Sequence, residues 1–173
     1  IVCYFLDLLK KSAPSRIIFT SSIAAFITKL KLEDLNPSRT CSNLPRIYAN
    51  SKLCEVIAAN GFTEKLRGYG VTSNSLHPGA VRSKIYLRAI REETVLWTFI
   101  AGFLTLPFGK TTEEGAQTLV YLACAKEVEK VTGHFFMDCR KFLQPLQTHN
   151  KDFCEQIWNN SMKLIKLDAN DIS

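Results

Sequence analysis

The chain has 173 residues, 46% of them hydrophobic and 22% charged, an ordinary globular composition for about one domain. A chain of that length buries a real core without disulfides or a structural metal. Its net charge of +6 is spread along the sequence with no nucleic-acid motif beside it, which argues against nucleic-acid binding.

Cys3, Cys41, Cys54, Cys124, Cys139 and Cys154 are scattered and form no CxxC pair, and His77, His134 and His149 stand far apart. Neither a disulfide framework nor a metal site is expected, and free thiols in a reducing compartment fit better. The chain opens at Ile1 without an initiator Met. Its first eleven residues already read as a helix in progress, so sequence is expected to be missing upstream. No signal or transit pattern is recognisable.

Residues 1–11 predict a partial helix, ended by the breaker Ser12-Ala13-Pro14-Ser15. Arg16 to Thr20 is a short, continuously apolar run, as in a strand buried on both faces. A long connection follows, with turn signals at Asn36-Pro37-Ser38 and Ser42-Asn43. From about Pro45 to Arg67 the spacing of Ile47, Cys54, Ala58, Phe62 and Leu66 predicts a helix, with Gly68 as its C-terminal stop. Val71 to Leu76 reads as a second strand, although Ser73 and Ser75 are polar for that position, and Pro78-Gly79 ends it. Thr111-Thr112-Glu113-Glu114 is a capping box opening another helix. Gly133 to Asp138 predicts a third strand, and Phe153, Ile157, Trp158, Leu164 and Ile165 mark a last amphipathic helix. Alternating helices and strands imply right-handed crossovers and a parallel sheet, part of a doubly wound α/β fold. Ligands in such folds bind beyond the carboxyl ends of the strands.

The residues at those ends are specific. Ser21-Ser22 follows the first strand, Tyr48-Ala49-Asn50-Ser51-Lys52 opens the helix, and His77-Pro78-Gly79 follows the second strand. Tyr-x-x-x-Lys alone is a weak pattern; its weight here comes from order and placement. Positions four apart share a helix face, so Tyr48 and Lys52 point into one cleft. A phenol with a pKa near ~10 is a poor base at neutral pH. An ammonium about 5 Å away, at an effective dielectric of about 20, favours phenolate by roughly 3 kcal/mol, about two pKa units. Tyrosine then becomes a usable proton donor or acceptor. With a Ser hydroxyl to hold the substrate oxygen, the chemistry best explained is an alcohol/carbonyl pair exchanging hydride with a nicotinamide.

On these residues the chain resembles the short-chain dehydrogenase/reductase family, with Ser22, Tyr48 and Lys52 matching its Ser, Tyr and Lys. The resemblance implies the C-terminal half of a Rossmann-type short-chain dehydrogenase fold, a single partial domain over residues 1–173 that carries the catalytic and substrate-binding part. It gives Lys52 a second role on the nicotinamide ribose, shared with Tyr48. It also sets Pro78-Gly79, Val81 and Ser83 against the nicotinamide carboxamide. Ser12-Ala-Pro-Ser-Arg-Ile17, Leu32-Glu-Asp-Leu-Asn36, Ser51-Lys-Leu53, Leu76-His-Pro-Gly79, Glu114-Gly-Ala-Gln-Thr118 and Asp138-Cys139 are similar to the retinol dehydrogenase-like group.

What that group implies is an NADP(H)-preferring enzyme, NAD being the second choice, that interconverts retinol or another lipophilic alcohol with its aldehyde. It further implies residence on the endoplasmic reticulum or another organelle membrane, with a cytoplasmic enzyme as the alternative, and it allows a homodimer. The Gly-rich phosphate loop and the residue that selects NAD or NADP are not within these residues. Cys54-Glu55 replaces the Ala-Asn usual in the group, and is expected to face away from the chemistry. A steroid or xenobiotic carbonyl reductase is the runner-up, and a noncatalytic, truncated relative that binds a partner is the reading from another class.

Between Val95 and Phe108 runs an apolar segment too short to span a bilayer and interrupted by Gly102 and Pro107. A lid carrying Trp97, Phe99, Phe103 and Phe108 would suit an isoprenoid substrate and touch a membrane surface; an ordinary buried helix is the plainer reading.

Overall fold

The structure, a computed structural model, describes residues 2–35, 44–82 and 109–166. Helix α1 spans Leu6–Lys11 and leads into strand β1, Ser15–Thr20. Helix α2 spans Leu44–Lys65, strand β2 Val71–His77 and helix α3 Thr112–Cys124. Strands β3, Phe135–Met137, and β4, Arg140–Phe142, precede helix α4, Lys151–Leu164. The described strands form one sheet in the order β1-β2-β3-β4. The first three run parallel, in register Thr20↔Leu76 and Leu76↔Phe136.

Alternation along the strands assigns the two faces. Ile17 and Val71 pack with Leu6, Phe62, Leu66 and Met162, and Phe135 packs with Leu53, Val56, Ile57 and Ile157. The opposite face joins Leu76 and Phe136 to Leu122 and Val128. Helices α1, α2 and α4 thus cover one side and α3 the other, the doubly wound arrangement expected from the sequence. Phe135 and Phe136 are wholly buried on opposite faces, each contributing roughly 2–3 kcal/mol of hydrophobic stabilisation.

The capping box is formed: Thr111 Oγ1 accepts from Glu114 N at 3.2 Å while Thr111 N donates to the Glu114 carboxylate at 2.8 Å. Gly68, at φ +90°, turns the chain out of α2 toward β2. One element departs from expectation. The third strand is shorter than 133–138, and it turns back through Asp138 and Cys139 into antiparallel β4, which the sequence reading does not contain. Both turn residues have left-handed backbone, φ 51° and 59°, as a tight two-residue hairpin requires. Five described cysteines, Cys3, Cys54, Cys124, Cys139 and Cys154, are free thiols.

Helices α2 and α4 meet where α2 has no side chain. A Cβ on Gly61 would lie 2.2 Å from Cε3 of Trp158, whose indole also stacks edge-on against Phe62 at 5.0 Å between ring centroids. Gly61→Ala gains up to about 1 kcal/mol of helix propensity but forces a core indole aside, at about 1–3 kcal/mol. The expected result is a net loss, seen as a lower urea midpoint with unchanged slope. Adding Trp158→Leu should make the alanine neutral or favourable.

Candidate active site

The β1–β2 register brings the two strand ends marked in the sequence side by side. Ser21 N donates to Leu76 O at 2.7 Å, carrying the ladder one residue beyond Thr20. The end of β1 and the His77-Pro78-Gly79 turn are therefore neighbours. Ser22 follows, 8% exposed, and starts the 3-10 helix Ile23–Phe26; its Oγ accepts from Ala24 N at 3.2 Å. That acceptor role leaves the hydroxyl hydrogen as a donor toward the cleft.

Helix α2 crosses this end with Tyr48 and Lys52 one turn apart on the same stripe. Lys52 is tied to β1 twice: its carbonyl accepts from Ser21 Oγ at 2.6 Å, and its ammonium donates to Thr20 O at 3.0 Å. Tyr48 is 38% exposed, and Lys52 Nζ lies 5.6 Å from the centre of its ring.

Lys52 has a second partner. Its Nζ is 3.0 and 3.1 Å from the two carboxylate oxygens of Glu55. This corrects the expectation that Cys54-Glu55 faces away from the chemistry. Cys54 does so, packing into the core between α2 and α4, and burial together with Glu55 pushes its thiol up to about 11. Glu55 does not. Burial raises its carboxyl above the ordinary carboxylate range, and the Lys52 hydrogen bond and charge pull it back. Helical spacing was the available signal, since 48, 52 and 55 are i, i+4 and i+7.

Across the cleft, Val81 bridges to Lys110: Arg82 N donates to Lys110 O at 3.0 Å and Lys110 N to Ala80 O at 2.9 Å. Gly115 at the start of α3 admits this approach, because a Cβ there would lie 2.4 Å from Val81 Cγ2. Lys110 Nζ pairs with Asp138 and reaches Pro78 O at 3.5 Å. Gly79, at φ +91°, has the Lys110 side chain against it. Ser83, Trp97, Phe99, Phe103 and Phe108 lie outside the described residues.

The donor set suits the nicotinamide-ribose end of a dinucleotide. The Lys52 ammonium lies beside the Tyr48 ring at the end of β1 and is a donor of the kind that sugar hydroxyls take. No helix among the described residues is long and apolar enough to cross a membrane.

No family model matches the chain. It is 36% identical to bovine (Bos taurus) retinol dehydrogenase 12 over 157 residues, 91% of the chain and 48% of that protein. Mouse (Mus musculus) retinol dehydrogenase 13 is 34% identical, with 94% of the chain and 48% of that protein covered. The chain therefore spans about half the length of these curated relatives. Its fold matches an uncharacterized protein from Mycobacterium paratuberculosis with a TM-score of 0.64 at 19% identity, covering 96% of the chain and 56% of that protein. An NADPH-bound short-chain oxidoreductase from Pseudomonas aeruginosa matches with a TM-score of 0.51 at 20% identity, over 78% of the chain and 48% of that protein.

His77, beside the site, is held neutral. Its Nδ1 is buried with no hydrogen-bond partner among the described residues, and burial, then Lys110, push its pKa down to about 4 from 6.5, with Asp138 opposing. With the folded value below the unfolded one, acidification protonates the unfolded chain first. Stability is whole above pH 6.5 and falls, by up to about 3 kcal/mol, as pH drops toward 4. In His77→Gln this component should vanish, flattening the urea midpoint against pH over that window. Equal acid sensitivity in both proteins would place the loss elsewhere.

In sequence the chain is similar, over nine-tenths of its length, to one half of curated retinol dehydrogenases, and in fold to a solved short-chain oxidoreductase.

Proposed function

We propose that the protein is an oxidoreductase that moves hydride between a nicotinamide cofactor, NADP(H) ahead of NAD(H), and a lipophilic alcohol/carbonyl pair of the retinol/retinal kind. The observation that carries this reading is the doubly tied Lys52, which keeps an ammonium beside the Tyr48 ring at the carboxyl end of the sheet. The retinoid class comes from the named relatives, the cofactor form from the family resemblance.

The bound cofactor supplies or accepts the hydride. The chain's own residues manage the proton and the position of the oxygen. Ser22 donates a hydrogen bond to the substrate oxygen and fixes it over the strand ends. Tyr48 gives its phenolic proton to that oxygen in reduction, and takes it back in oxidation. Lys52 favours the phenolate and bonds the ribose hydroxyls. Pro78, Gly79, Val81 and Ser83 line the nicotinamide carboxamide. Trp97, Phe99, Phe103 and Phe108 are proposed to line the isoprenoid path and to rest against an intracellular membrane.

In the natural full-length protein, Tyr48→Phe should lower turnover by at least ~10²-fold with near-normal cofactor affinity. Near wild-type turnover would remove Tyr48 from proton transfer. Lys52→Met should both weaken cofactor binding, read by calorimetry, and move the pH optimum of alcohol oxidation upward. An inactive variant with neither change would leave Lys52 a structural tie only.

A further inference from the structure

Tyr48, Lys52 and Glu55 occupy one stripe of α2, and the middle residue is bonded to more than the strand end. An ammonium has three donors. Among the described residues, Lys52 Nζ has three oxygens in range: Thr20 O at 3.0 Å and the two Glu55 oxygens at 3.0 and 3.1 Å. Thr20 O is backbone and fixed by the sheet, whereas the Glu55 side chain is the exchangeable partner. The pair is only partly wet, with side chains 20% and 33% exposed.

Two consequences follow from elementary electrostatics. A ribose hydroxyl that approaches Nζ meets an ammonium whose position and charge the carboxylate already shares, since one N–H serves both Glu55 oxygens and another remains for the sugar. In addition, a carboxylate in contact with the ammonium turns a single charge into a close pair, whose field weakens faster with distance than that of the charge alone. Tyr48, with its ring centre 5.6 Å from Nζ, is where that weakening is felt.

We propose that Glu55 is a positioning residue that restrains Lys52, holding its ammonium back from the cofactor ribose and damping its pull on the Tyr48 phenol. The inference rests on the roles proposed above for Tyr48 and Lys52. It adds a built-in brake on the ammonium and costs cofactor grip.

The neighbouring groups leave Lys52 as the charge that acts on Glu55. The Lys52 hydrogen bond and charge pull the Glu55 carboxyl down against the effect of burial. The end of β1 offers the uncharged Thr20, Ser21 and Ser22, and the 3-10 helix Ile23–Phe26 carries no titratable side chain. His77 at the end of β2 stays neutral above a pKa of about 4. Cys54 on the same helix and Cys154 on α4 are thiols whose pKa values burial raises.

The test compares wild type, Glu55→Gln and Glu55→Asn in the natural full-length protein. The two variants remove the charge at different side-chain lengths. Without cofactor, the Tyr48 phenol is titrated by ultraviolet difference spectroscopy against Tyr48→Phe. Both variants should move the phenol's ultraviolet absorbance transition to lower pH than in wild type. By calorimetry, both should bind NADPH about 3–10-fold tighter, and the pH optimum of alcohol oxidation should move the same way as the transition. A transition that stays in place or moves to higher pH overturns the damping. Weaker NADPH binding in both variants overturns the restraint, since Glu55 would then be orienting Lys52 for the cofactor. If no protein, wild type included, binds NADPH or NADH, the oxidoreductase reading falls, while the Tyr48 titration still decides the electrostatic half.

Discussion

The whole candidate site depends on one residue being fastened to one strand end at both of its extremities. Lys52 receives Ser21 Oγ on its carbonyl at 2.6 Å and gives its ammonium to Thr20 O at 3.0 Å. Ser21 N in turn holds Leu76 O at 2.7 Å. The circuit runs through backbone atoms of α2, β1 and β2, so the three elements keep their mutual placement without a large side-chain network. Two of its three bonds use a serine hydroxyl and a lysine ammonium, and the sheet supplies the rest. Ser22, Tyr48 and the Pro78-Gly79 turn inherit their positions from it. A helix held only by its apolar face could slide by a fraction of a turn along β1 at little hydrophobic cost; the two bonds at Lys52 forbid that slide.

Strand β2 shows how polar residues can serve a buried strand. Thr72, Ser73, Asn74 and Ser75 are all buried, the feature that made the strand look doubtful in sequence. β3 pairs with β2 only from Ser75 to His77, and upstream of that point side chains join the backbone bond from Gly133 N to Ser73 O at 2.8 Å. Asn74 donates to Val131 O at 2.7 Å and accepts from His134 N at 3.1 Å, while Thr132 Oγ1 accepts from Ser73 N at 2.9 Å. Thr63 on α2 adds a bond to Ser73 O at 3.0 Å. These bonds satisfy backbone groups that would otherwise be buried unpaired, at a cost of several kcal/mol. Asn74 is thus the side chain of β2 that fastens the 131–134 connection to the sheet, while the buried hydroxyls of Thr72, Ser73 and Ser75 have no hydrogen-bond partner among the described residues.

Where the sequence was readable, a local physical rule and the tertiary outcome agreed. The apolar run before Ser21, the capping box at Thr111 and the left-handed Gly68 each follow from one rule acting at short range. β4 was not readable for a matching reason. Arg140, Lys141 and Phe142 are exposed, too few for an alternation, and their hairpin turn uses Asp138 and Cys139 where glycine or asparagine would have announced it. The Tyr48 and Lys52 pair was legible from helical spacing. Glu55 was legible by the same spacing, since it lies seven residues beyond Tyr48 on the same face.

Stability does not account for Glu55. A partly exposed ion pair three residues apart on one helix contributes about 0.3–0.5 kcal/mol, less than one ordinary core methyl group. Burial also opposes the ionised carboxyl, so part of even that small gain is returned. An amide or apolar side chain would suit the fold as well. What a carboxylate does change at this position is the charge state around Nζ, where the ammonium is 3.0 Å from a strand-end carbonyl and 5.6 Å from the centre of an accessible phenol ring. Acidification that protonates Glu55 would release the ammonium from its partner, and deprotonation would engage it again. The raised carboxyl pKa brings that exchange closer to neutrality than an ordinary glutamate would. The physical effect of the substitution is therefore concentrated on Lys52, the residue by which the helix, the sheet and the proposed proton transfer are joined.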